Sequence, residues 1–177
     1  MASLKIGDKA IPFNLPGIDG TNHSLAEFSK NNVVAVIFSC NHCPYVQAWE
    51  ERMVQLQKDY SSKGVQLIAI NANDAGKYPE DSFQKMQERA REKHFNFPYL
   101  RDESQEIARA YGAERTPEVF LFDKSRSLRY HGAIDDNYDD PSAVKKTYLR
   151  NALEAILSGT QPKTAETKPV GCSIKWK

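Results

Sequence analysis

The residues of this sequence best suited to do chemistry lie in the stretch FSCNHCPYV, positions 38–46. Cys40 and Cys43 bracket Asn41 and His42, and Pro44 follows. Two cysteines so spaced can cycle between dithiol and disulfide, can supply half of a metal site, or can be two buried thiols. The spacing does not decide among these, so the elements around the pair must.

Upstream, NNVVAVIFS (31–39) is a run of β-branched and aromatic residues without polar alternation, the pattern of a strand buried on both faces. Downstream, Val46, Trp49, Met53, Leu56 and Tyr60 recur at helical steps, and Lys63 and Gly64 mark a helix end. The pair therefore stands where a strand gives way to a helix. Unpaired amides and the positive end of the helix dipole stabilise a thiolate there. This predicts Cys40 as the exposed, acidic attacker and Cys43 as the sheltered thiol, one turn inward, that resolves a mixed disulfide. His42 can donate to the Cys40 thiolate or carry charge beside it, which shifts the couple toward an oxidant. A second signal is RTPEVF (115–120), where Pro117 directly precedes an apolar strand. A cis Thr116–Pro117 bond accounts for a proline in that place and leaves the Thr116 backbone to pair with an extended substrate chain.

The elements that must position these residues follow one another along the chain. FNLPGIDGTNHSLAEF (13–28) reads as an extended segment, a turn and a short return. VQLIAINAND (65–74) is a second buried strand, and EDSFQKMQERAREKHF (80–95) an amphipathic helix with a charged outer face. A short helix over 103–111 ends at Gly112, EVFLFD (118–123) is a strand, and SLRYHGAI (127–134) pairs with it as a hairpin. The last helix is predicted over 141–159, from Pro141 to Gly159, and the residues from Thr160 have linker composition before the closing GCSIKWK. The order implies an α/β fold with a mixed central sheet, organised as one domain over 1–159 and a linker and tail over 160–177. At 177 residues the chain suits a single domain. With 24 basic and 23 acidic residues it carries no charge excess for nucleic acid or an anionic membrane. Its apolar runs fall far short of the roughly 20 residues that span a bilayer. The N-terminal MASLKIGDKAIPF lacks the apolar core of a secretory signal. These features place the expectation in the cytoplasm, where thiols are kept reduced and a close cysteine pair is redox-active or metal-binding rather than a structural staple.

The combination of a strand–CxxC–helix with a distant Thr-Pro before a strand resembles the thioredoxin superfamily. The opening KIGDKAIPFNLPGIDGTNHSL, the block FSCNHCPYVQAWE and the end GCSIKWK resemble its redoxin branch, the relatives of peroxiredoxins and alkyl hydroperoxide reductases. The resemblance covers roughly residues 5–157. It implies a thioredoxin-like fold, a nucleophile at Cys40, a resolving thiol at Cys43 and a cis-proline at Pro117. Two positions depart from the pattern. Thioredoxins hold a buried aspartate ahead of the first cysteine, where this chain has Val34; Glu118 is then a candidate proton carrier, or else a salt-bridged carboxylate at a strand start. Peroxiredoxins carry a threonine before their peroxidatic cysteine and a proline after it; here Cys40 takes the threonine's place and Pro44 keeps the proline.

The functional expectation is a thiol–disulfide oxidoreductase acting on a protein or small-molecule disulfide or thiol, without dissociable cofactor, metal, nucleic acid or membrane. The enzyme alternative is a peroxiredoxin-like antioxidant, in which Cys43 attacks peroxide and Cys40 or Cys172 resolves. The non-enzyme alternative is a metal-binding or docking module, with Cys172 and a histidine recruited to the pair. Cys172 is either a third redox thiol or a free cysteine packed under Trp176, on a tail that is mobile or docked on the surface. DDNYDDP (135–141) lacks the spacing of a calcium loop and reads as a turn capping the final helix.

Overall fold

In the computed structural model, which describes residues 3–177, the extended segment and its return form a small hairpin. Its strands are β1 (Asn14–Pro16) and β2 (Asn22–Ser24). Then comes β3 (Val33–Ser39), buried at every position as its unbroken apolar run requires. It leads through the cysteine loop into α1 (Pro44–Tyr60), with proline at the first helical position. A short turn closes α1, and Gly64 follows in the left-handed region at φ 77°. The chain continues through β4 (Val65–Asn71), α2 (Phe83–Glu92), β5 (Tyr99–Arg101) and α3 (Glu106–Tyr111). It ends with β6 (Arg115–Thr116), β7 (Glu118–Phe122), β8 (Leu128–Gly132), α4 (Tyr148–Leu157) and β9 (Cys172–Ser173).

Five strands form the central sheet in the order β5-β4-β3-β7-β8. β3 lies in the middle, parallel to β4 and antiparallel to β7, so Cys40 emerges from the most enclosed strand of the protein. Side chains alternate across it. Val33, Ala35 and Ile37 join a core under α1, α2 and α4, and Val34, Val36 and Phe38 join a second core with Tyr111, Phe120 and Phe122. This mixed sheet, covered by helices, is the thioredoxin-like arrangement that the resemblance implies. No helix among the described residues is long and apolar enough to cross a membrane.

Two expectations need correction. The final helix starts at Tyr148, not at Pro141. Pro141 opens a single 3-10 turn capped by the Asp140 side chain, which accepts from the Ser142 amide, and Val144 then turns extended. The segment after Thr160 is docked, one of its two expected placements, and it is more than the linker its composition implies. Ala165 and Thr167 exchange backbone hydrogen bonds with His131, and β9 pairs antiparallel with β6. Ile174, 3% exposed, enters the second core, and Trp176 lies under the Arg109 guanidinium, 4.4 Å from its ring centre. Linker-like composition hides this because so few apolar side chains do the anchoring. Ile174→Ala is therefore expected to lower global stability by about 2–5 kcal/mol, the cost of a buried aliphatic truncation. Urea unfolding measures it, and an unchanged midpoint would show that the tail contributes nothing.

Candidate active site

Cys40 is the first residue after β3, and Cys43 is the N-cap of α1. Because Pro44 sets the helix start, the favourable end of the dipole falls on Cys43 rather than on Cys40. The two cysteines pack together in one buried cluster, and both sulfurs lie against Thr116. The Cys40 Sγ is 3.4 Å from the Thr116 hydroxyl, and the Cys43 Sγ is 3.4 Å from the Thr116 carbonyl, to which it donates when protonated. Pro117 follows in a cis peptide bond, as expected. Thus the strand end, the helix start and the Thr-Pro turn converge, although the residues involved are far apart in sequence.

The sulfur pair is asymmetric, in the opposite sense to the sequence expectation. Cys43 is pulled down to about 4, chiefly because the Cys40 thiol donates to it; burial opposes this, while the Cys172 thiol and the amides of Val46 and Cys172 add to it. Cys40 is pushed up, first by holding the proton it shares with Cys43, then by burial and by the negative charge of Asp81. The anion belongs on Cys43.

His42 is fixed from behind. Its Nδ1 donates to the Asp81 carboxylate at 2.5 Å, and its ring stacks on Tyr78 with centroids 5.5 Å apart. Asp81 is fully buried and also accepts from the Asn41 amide at 2.6 Å and from the side-chain amides of Asn73 at 2.8 Å and Asn71 at 3.2 Å. The sequence reading missed Asp81, which it placed in the first turn of a helix. The helix starts later, at the Ser82 cap, and Asp81 sits on a 3-10 turn facing inward. An acidic residue immediately before a serine cap was the only available signal. Ligand atoms of Cys40, His42 and Asp81 lie within 4.8 Å of one another, the spacing of a metal site. A metal would have to break the His42–Asp81 bond and compete with three amide donors for the carboxylate, so the donor set suits hydrogen bonding better.

Glu118 takes the second of its two expected roles, the salt-bridged carboxylate, and one further expectation changes. Glu118 is buried, but its carboxylate accepts from the Glu114 and Arg115 amides, both at 2.8 Å, and pairs with His131 at 2.6 Å. It braces the loop leading to Pro117, and Asp81 is the carboxylate beside the reactive loop. The Thr116 backbone is not free for a substrate chain either, because Cys172 pairs with it in register. Cys172 packs on the sulfur pair, and burial together with Cys43 raises its thiol to about 11. Gly171 makes this approach possible: a Cβ there would stand 2.0 Å from the Thr116 carbonyl oxygen.

Residues 6–131 match the AhpC/TSA family. The chain belongs to that family. It is also similar to an uncharacterised conserved protein of Geobacillus kaustophilus, at 40% identity and a TM-score of 0.93 over 98% of this chain and 93% of that one. A hypothetical protein of Sinorhizobium meliloti 1021 is similar at 37% identity and a TM-score of 0.94, over 99% and 97% of the two chains. The thiol-disulfide oxidoreductase ResA of Halalkalibacterium halodurans is 28% identical over 130 residues, 73% of this chain and 66% of that protein. The high structural scores extend the family likeness through the C-terminal strand, beyond the segment that the family model spans.

The charge assignment has a pH signature. In the reduced protein, thiolate ultraviolet absorbance should persist below neutral pH and disappear only as pH falls toward about 4. Its folded value is depressed, so the stability it contributes is present above the unfolded thiol range near 9.0 and is lost on acidification through about 4. Cys43→Ser should abolish the acidic transition. A single titration near the ordinary thiol value would overturn the assignment.

Proposed function

We propose that this protein is a thiol–disulfide oxidoreductase whose Cys40–Cys43 pair stores two electrons as a dithiol and releases them as a disulfide. The observation that carries the reading is the packing of the two cysteines together between the end of β3 and the start of α1, both sulfurs against Thr116 and the cis Pro117. Exchange needs one sulfur that is already an anion and a neighbour that can follow it. Cys43 is the anion and attacks whatever disulfide sulfur is presented to it. Cys40 then attacks Cys43 and closes the pair, and the His42–Asp81 pair beside Cys40 takes up the proton that Cys40 releases. Reversing these steps oxidises a dithiol. The likeness to ResA supports the same reaction class. The partner is a protein or small-molecule disulfide or thiol, and the cytoplasm is the compartment that keeps such a pair supplied with electrons.

A second reading, a thiol peroxidase, draws support from the anion on Cys43 and from Pro44 after it, the pattern of a peroxidatic cysteine in the resemblance. The hydroxyl nearest the pair comes from Thr116, and it faces Cys40. This leaves no counterpart to the missing threonine beside Cys43 itself, so disulfide exchange is the preferred reading. Insulin reduction and peroxide consumption, each with Cys40→Ser and Cys43→Ser, separate the two. Exchange predicts that both variants lose insulin reduction; peroxide turnover that survives in Cys40→Ser would favour the peroxidase.

Stabilising the thiolate favours the dithiol form, so the couple should be more oxidising than thioredoxin's value of about −270 mV. Equilibration with glutathione buffers tests this, and a value at or below thioredoxin's would refute it. His42→Ala should slow closure of the disulfide by roughly a hundredfold at neutral pH, as loss of a positioned proton carrier does. Stopped-flow oxidation measures the step, and a wild-type rate would remove His42 from the mechanism.

A further inference from the structure

Cys40 and Cys43 are 2% and 0% exposed, so the reactive sulfurs have almost no surface of their own. Cys172 is the partly exposed sulfur of the cluster. Its position is held on both sides. Register pairing with Thr116 fixes its backbone, and the next residues are tied down by the Ile174 amide on the Glu114 carbonyl at 3.0 Å and the Asp74 amide on the Lys175 carbonyl at 2.7 Å. Gln105 adds a hydrogen bond to the Lys175 carbonyl at 2.9 Å. Before it, Val170 is 41% exposed and Gly171 passes directly over the Thr116 carbonyl. The strand therefore lies where the sequence reading placed a substrate chain, with a cysteine at the level of Cys43.

We propose that Cys172 is a relay thiol that carries exchange between the surface and the buried Cys40–Cys43 pair through a Cys43–Cys172 disulfide. The inference rests on the dithiol reading given above. In the reducing direction, Cys172 gives up its proton to solvent as it attacks an external disulfide R–S–S–R, forming Cys172–S–S–R and releasing one R–S⁻. The Cys43 thiolate attacks the Cys172 sulfur, forming the Cys43–Cys172 bond and releasing the second R–S⁻. Cys40 loses its proton and attacks the Cys43 sulfur, forming the Cys40–Cys43 bond and returning Cys172 as a thiolate, which regains its proton. One external disulfide becomes two thiols, the Cys40–Cys43 dithiol becomes a disulfide, and Cys172 ends as it began. No other oxidant or reductant enters. In reverse, an external dithiol attacks Cys172 in the Cys43–Cys172 disulfide and expels Cys43, an acidic thiol and so a good leaving group.

The relay predicts different disulfides in different variants of the full-length protein treated with oxidised glutathione, read by mass mapping of non-reduced digests. Wild type should end with Cys40–Cys43, and Cys40→Ser should stop at Cys43–Cys172. Cys172→Ser should form Cys40–Cys43 more slowly by about tenfold or more. Cys43 carrying glutathione beside a free Cys172 in Cys40→Ser would overturn the relay, and so would a wild-type rate in Cys172→Ser. If wild type never forms Cys40–Cys43, the dithiol function itself fails, which separates the two ideas.

Discussion

A sulfur anion buried in a protein must be answered by donors, and at Cys43 the answer comes from thiols and amides rather than from a cation. Two of those donors are local, Cys40 at the end of β3 and Val46 in the first turn of α1, and one, Cys172 in β9, is distant in sequence. They converge only when the strand, the helix and the tail are all in place. The acidity of Cys43 is thus a property of the assembled fold. The same arrangement sets the inequality of the pair, because the proton that relieves Cys43 is held by Cys40.

Beneath the sulfurs lies a polar layer that a hydrophobic core would ordinarily exclude. Asp81 gathers His42 and the amides of Asn41, Asn71 and Asn73, and Tyr99 donates to the Asn41 side chain at 2.8 Å. A buried carboxylate is tolerable only with such a full set of partners, and it becomes rigid in the process. Glu118 does similar work at the opposite wall, where it braces the loop before Pro117 against His131. The position where thioredoxins keep a buried aspartate is Val34, packed in the second core. The acid has moved from the strand beneath the sulfurs to a turn beside them.

Much of this was legible in the sequence because it depends on local pattern. The unbroken run of β3, the helical stripe of α1 and the awkward proline at position 117 each have one structural solution, and together they placed the pair and the cis bond. Less legible was anything decided by a one-residue shift or by long-range contact. Proline after the second cysteine moves the helix start past Cys40, and Cys172, a contributor to the acidity of Cys43, arrives from the far end of the chain. Asp81 has a single chain neighbour, Ser82, that marks its turn; its four partners come from loops and strands whose approach no periodicity reveals. The tail was misread for a related reason: one isoleucine and one tryptophan hold it, too few to form a pattern.

The docked tail also resolves a conflict between shelter and access. Burial protects a reactive anion and lets weak donors act strongly on it, yet exchange requires sulfur to meet sulfur along a line. A strand that covers the pair would block the reaction if it were inert, and would expose the pair if it left altogether. β9 does neither in full. It pairs over only two residues, Cys172 and Ser173, a ladder short enough to open at far less cost than unfolding the protein. Ile174, directly after it, is anchored in the core, and Val170, just before it, is exposed. With Thr167 bound to His131 on one side and Ile174 anchored on the other, the strand keeps its own cysteine on the sulfur pair, so the cover that shelters Cys43 is also the means by which it is reached.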